Sequence, residues 1–195
     1  MKSGLALKAA VTDEHLKGAV TILANLVRSA HLKRALTRAD PAPSLNFWRV
    51  IYGNLLDMTV LEWCKLFGSD NEDHQQVHWK NMFHDESAFR DGLYRHLGIS
   101  SDDFFAYWKE LKTYRDTAAA HLDLAKPLVP FYPKLDHAIA SSYYYYAQLL
   151  PALRNRGMTQ YPDDLQAYAE AFLAQTVDIA SKAMMATKNI DGRLG

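Results

Sequence analysis

Apolar side chains recur every three to four residues along most of this chain, the spacing that puts them on one face of an α-helix. From Asp13 to about Leu36, Leu16, Val20, Ile22, Leu23 and Leu26 keep that period, and Thr12 stands where a side-chain cap starts a helix. Asp40-Pro41-Ala42-Pro43 ends the run, because proline cannot continue a helix. A second helix is predicted from a Ser44 cap to about Phe67, with Gly68 as its stop. It is apolar nearly all round, with Phe47, Trp48, Val50, Ile51, Leu55, Leu56, Val60, Leu61 and Trp63, which predicts a place in the middle of a bundle.

Residues 69–84 are polar and read as a loop with a short turn around Trp79. A helix from Asp85 to Leu97, closed by Gly98, precedes one that starts at Ser100 or Ser101 and runs to His121 or Asp123. Lys126 to Pro133 holds three prolines and predicts an extended connector. A helix from Lys134 to Arg154 follows, stopped at Gly157, and Pro162 is expected to open a last helix to about Thr187. Residues 188–195 read as a frayed tail. No segment alternates with period two, so the expected fold is all-α: an antiparallel bundle of five to six helices in a single domain, residues 1–195. Its core is expected over about 13–156, with a C-terminal helix at about 162–187.

Composition narrows the picture. Hydrophobic residues make up 49% of the chain, enough for a core without metal or disulfide. Twenty-two basic residues balance twenty-two acidic ones, so any nucleic-acid binding has to come from a local patch. Lys33 and Arg34 with Arg28 and Arg38, and Arg154 with Arg156, are the best such patches, although solvated helix ends account for both. The single cysteine, Cys64, reads as an inert core thiol. No signal peptide and no membrane-length apolar run is visible, which predicts a cytoplasmic protein with no membrane association.

Chemistry concentrates late in the helix that starts at Ser100 or Ser101. Phe104, Trp108, Leu111, Arg115, Ala118 and Leu122 form one stripe at steps of three and four, which puts an arginine where the pattern asks for an apolar side chain. Such an arginine must reach water, pair with a carboxylate or sit at an interface, and Asp57 on the second helix is a candidate partner. Thr117-Ala118-Ala119-Ala120 offers little bulk, so a backbone or ligand can come close, and His121 follows. On a regular helix Arg115 and His121 lie about 9 Å apart along the axis on different faces. A symmetric dimer pairing this helix with its copy would gather two of each in one cleft.

The segment Tyr114-Arg115-Asp116-Thr117-Ala118-Ala119-Ala120-His121-Leu122-Asp123 resembles the signature of HEPN domains: arginine, a polar residue, a short spacer, then histidine. Leu61-Glu62-Trp63-Cys64-Lys65-Leu66-Phe67-Gly68, with Trp79 downstream, resembles the abortive-infection-type branch. The resemblance implies metal-independent cleavage of RNA in a homodimer cleft, in a bacterial defence or toxin setting, with an antitoxin as a further partner and no cofactor. Arg115, Asp116 and His121 would then be the catalytic residues. His121 would act as general acid or base on the ribose 2′-hydroxyl or the leaving oxygen, a task suited to a group that titrates near neutrality. Arg115 would stabilise charge on the scissile phosphate. Asp116 would orient His121 or the partner arginine. Thr117 departs from the pattern, where relatives often carry a basic residue.

Two other readings stay open. One is a non-catalytic dimerisation or interaction module in which Arg115 and His121 are structural. The other is a metal-dependent helical-bundle enzyme built on His74, His78 and His84, since His74 and His78 stand four apart and Glu62, Asp85 or Glu86 could add oxygen ligands. Tyr143 to Tyr146 span just over one turn and must point all round their helix, mostly into packing.

Overall fold

Thr12 opens the first helix. Its hydroxyl oxygen accepts from the His15 backbone N–H at 3.3 Å, and the His15 ring nitrogen Nδ1 accepts from the Thr12 N–H at 3.2 Å. This is a reciprocal cap with histidine in the place usually held by glutamate or glutamine. The computed structural model that contains it describes residues 4–40, 45–69, 76–119, 132–188 and 190. Among these residues seven α-helices and one π-helical turn form the fold, with no strand beyond a single bridge between Leu7 and Phe83. The expected Ser44 cap and the connector from Lys126 to Phe131 lie outside the described residues.

Helix α1 (Asp13–Arg38) and helix α2 (Asn46–Phe67) pack along each other. Leu16, Ala19, Leu23, Leu26, Val27 and Ala30 are completely buried, so the period read from the sequence is the core-facing stripe. Helix α2 departs from expectation. Its C-terminal half, from Leu56 to Phe67, lies in the core, but its N-terminal half leaves Phe47 and Val50 exposed at 63% and 60%. That half instead packs one side, through Trp48, Ile51, Tyr52 and Leu55, onto a second cluster of Leu36, Ala39, Ala180 and Met184. Trp48 Nε1 donates to Thr187 Oγ1 at 3.1 Å there.

A four-residue helix, α3 (Trp79–Met82), leads into α4 (Glu86–Leu97), capped by Asp85 and closed by Gly98 in the left-handed conformation. Residues 4–11 cross α3 and are tied down by hydrogen bonds from Lys8 N to Met82 O and from His84 N to Ala6 O. Helix α5 (Ser101–Tyr114) starts at a Ser100–Asp103 capping box and runs into the π turn, Arg115–Ala119. Helix α6 (Asp136–Asn155) ends at Gly157, whose φ of 74° needs glycine.

Helix α7 is Leu165–Thr187. It starts three residues later than Pro162 suggests, because Asp164 supplies the oxygen that satisfies the Gln166 and Ala167 N–H groups at 2.7 and 3.1 Å. Pro162 serves the preceding loop, where its carbonyl accepts the Tyr146 hydroxyl. Leu165 and Ala169 join the main core, so α7 belongs to the bundle.

The tyrosine run divides as its spacing requires. Tyr145 and Tyr146 are buried, with the Tyr145 hydroxyl donating to Val77 O at 2.8 Å, while Tyr143 and Tyr144 sit at the margin. Gly92 is where α4 meets Tyr144: an added Cβ would fall 2.1 Å from the hydroxyl oxygen.

The basic patches are fasteners more than solvated helix ends. Arg154 donates to Met158 O and Tyr161 O at 2.7 and 2.8 Å and pairs with Asp163 at 2.6 Å, closing the loop before α7. Arg156 pairs with Asp13 at 2.8 Å, Arg28 donates to the Tyr168 hydroxyl, and Lys33 lies 3.7 Å from the centre of the Tyr52 ring. Replacing Arg154 with alanine is expected to lower stability by about 1.5–3 kcal/mol, since carbonyls bonded to a cation lose their donor. Thermal denaturation compared with Arg156→Ala tests this, and an unchanged melting temperature for Arg154→Ala would refute it.

Candidate functional site

Helix α5 buries Tyr107, Leu111 and Tyr114. This stripe is rotated from the one expected through Trp108 and Arg115, and the reason is hydrogen bonding. The Tyr107 hydroxyl donates to Lys134 O at 2.9 Å and accepts from Ala138 N at 3.0 Å, while the Tyr114 hydroxyl donates to Asp57 Oδ1 at 2.7 Å. Two tyrosines with satisfied hydroxyls fill the core positions, and burial raises the pKa of both. Arg115 is left at the margin with 21% of its side chain exposed, and Asp57 is engaged by Tyr114.

Arg115 pairs with its own neighbour. Its Nε and Nη2 lie 2.7 and 2.6 Å from Asp116 Oδ1. Consecutive residues on a regular α-helix do not face each other, and this pair forms where the helix widens into the π turn. The turn packs against α2 close to Cys64. Burial pushes the Cys64 thiol up to about 11, and the Arg115 guanidinium beside it opposes that rise without overcoming it. A thiol held that high is protonated at neutral pH, in keeping with an inert core cysteine.

Arg115 and Asp116 are thus together at a partly open turn, and Ala119 packs against the core. His121 and Asp123 lie outside the described residues. So does His74. Of its two companions, His78 is buried and caps α3, its Nδ1 accepting from Lys80 N at 3.3 Å, and His84 is exposed. The proposed oxygen ligands also have structural tasks. Glu62 pairs with Lys65 at 2.9 Å, Glu86 with Lys8 at 3.2 Å, and Asp85 caps α4. Among the described residues no three potential ligand side chains gather as a metal ion would require.

One feature beside the Arg115 turn was not anticipated from the sequence. A groove of about 370 Å³ lies between the end of α2, α3, α4 and α5. Trp108 and Phe105 form one wall, stacked at 5.8 Å with their planes 13° apart, and Phe105 is 63% exposed. The indole is fixed by Nε1 donating to Phe67 O at 2.8 Å. Lys112 lies over the Trp108 ring at 4.9 Å, and Lys80 and Arg90 complete a cationic rim. Among the described residues no carboxylate lines this groove. Phe105, Trp108 and Lys112 follow one another at steps of three and four, and one more step reaches the Arg115–Asp116 turn. The signal was present in the sequence: Phe104 and Phe105 are adjacent, so one of them had to turn away from the core.

No protein-family model, curated protein or solved structure matches this chain. No helix among the described residues is long and apolar enough to cross a membrane.

Proposed function

We propose that this protein binds single-stranded RNA along α5 and cleaves it at the Arg115 turn without a metal, as a homodimer of the HEPN kind. The observation that supports the reading best is the Phe105–Trp108 platform with Lys112 above it and cations around it. Aromatic faces accept any base by stacking, while lysine and arginine take the phosphates between them. A chain with no net charge has to concentrate its positive potential to attract a polyanion, and Arg90 and Lys112 line this groove. Arg115, Asp116 and His121 are then the cleaving set, with His121 as general acid or base and Arg115 facing the phosphate. Dimerisation would bring both copies into one cleft. The defence or toxin setting and an antitoxin partner follow from the resemblance to HEPN domains.

Binding of a short fluorescein-labelled single-stranded RNA, followed by anisotropy, tests the reading. Phe105→Ala removes an exposed ring and keeps the fold, so its effect reports on stacking. The expected loss is about 1–3 kcal/mol for each base that loses its platform, with Trp108→Ala at least as costly. Lys112→Gln is expected to flatten the salt dependence of binding. An RNA affinity untouched by Phe105→Ala, or absent in low salt, would remove the reading.

The closed Arg115–Asp116 pair favours a second reading, a non-catalytic RNA-binding or dimerisation module. In that case the platform variants still weaken binding, but no product forms from bound RNA.

A further inference from the structure

A second cavity, about 440 Å³, lies between α1, α6 and α7, with His96 of α4 also in its lining, away from the α5 groove. Its wall contains a polar pair that packing alone does not require. His31 is 2% exposed, and its Nδ1 lies 2.8 Å from Val27 O. A carbonyl can only accept, so Nδ1 carries the proton and Nε2 is left as an acceptor. The Tyr143 hydroxyl stands 3.3 Å from Nε2 and therefore donates to it. The phenol oxygen keeps its lone pairs for a donor arriving from the cavity. Burial lowers the His31 pKa, which holds the imidazole in this neutral form.

Two arginines one helical turn apart on α1 line the same cavity. Arg34 is held by Asp136 at 2.6 Å, while Arg38 has no ion-pair partner among the described residues. Glu170 faces them from α7 and accepts from the Gln166 side-chain amide at 2.9 Å. The site therefore offers forked cationic donors on one side and neutral or anionic acceptors on the other. That combination suits a ligand with an anionic end and a body rich in hydroxyl donors. Guanidinium forks match phosphate oxygens in number and geometry. The volume lies within the ~300–1,000 Å³ range of small-molecule pockets.

We propose that this cavity binds a hydroxylated organic phosphate of sugar-phosphate to mononucleotide size, with Arg34 and Arg38 holding the phosphate and the Tyr143–His31 pair and Glu170 taking hydroxyls. Binding of ribose 5-phosphate is independent of RNA binding on α5, because this probe has no base to stack on Phe105 and Trp108. Isothermal titration calorimetry on the full chain with ribose 5-phosphate as probe tests it, beside ribose and inorganic phosphate. Ribose 5-phosphate is expected to bind saturably at one site, with the two fragments weaker by on the order of tenfold or more. Arg38→Gln, at an exposed position, is expected to weaken the probe by about tenfold, and Tyr143→Phe by several-fold. Phe105→Ala is expected to leave probe affinity unchanged. No saturable binding of ribose 5-phosphate, or an unchanged affinity in Arg38→Gln protein with a wild-type circular dichroism spectrum, would overturn the proposal.

Discussion

Trp63→Ala is expected to cost the bundle about 3–5 kcal/mol, a large part of the ~5–15 kcal/mol that holds a domain of this kind together. Trp63 has no exposed surface and stands at the junction of α2, α5 and α6. Its ring stacks on Phe67 at 5.3 Å and meets Tyr107 edge-on at 5.8 Å. Its Nε1 donates to Ser141 Oγ at 2.9 Å, and that hydroxyl in turn donates to Ala138 O. Alanine would leave a cavity and take a donor from a buried oxygen, two losses that act together. Trp63→Phe keeps most of the apolar volume and loses the hydrogen bond, so a smaller loss is expected. Urea unfolding followed by circular dichroism measures both. If the alanine variant unfolds at the wild-type urea concentration, this account of the core is wrong.

On the proposed function, His121→Ala lowers RNA cleavage by about 10²–10⁴-fold, the range for losing a positioned general acid or base. Arg115→Ala is expected to reduce the rate by at least as much as a lost charge-stabilising donor does elsewhere, on the order of 10²-fold or more. EDTA should leave the rate unchanged. RNA binding measured by anisotropy should persist in His121→Ala, because the α5 platform is intact. Wild-type protein that binds RNA yet leaves it whole would select the non-catalytic reading, and cleavage that survives both substitutions would remove these residues from the mechanism. Arg115 already spends its forked donors on Asp116, at 2.6 and 2.7 Å. Cleavage therefore requires a bound phosphate to compete with, or complete, that pair.

The helical plan was legible because it depends on local rules. Thr12, Asp85 and Ser100 start helices, and Gly68, Gly98 and Gly157 end them, as short-range hydrogen bonding and backbone freedom dictate. The start of α7 belongs to the same level: Pro162 is compatible with a first turn, but Asp164 supplies the oxygen that caps the helix. The exposed N-terminal half of α2 lies beyond it, since an apolar residue carries no record of whether a neighbour covers it.

The candidate sites divide the same way. Arg115 and Asp116 were visible as charges interrupting an apolar rhythm, a property of the chain order alone. Which side chain takes the core position there, Arg115 or Tyr114, depended on whether a buried hydroxyl could find Asp57, fifty-seven residues away. The aromatic groove needed four elements to meet, and the His31–Tyr143 pair joins positions 112 apart in the chain. Sequence order therefore determined the helices and their caps, because those interactions reach only three or four residues. Which polar groups share a cavity was decided by packing alone, because desolvation and hydrogen-bond partnership exist only once distant segments are brought together.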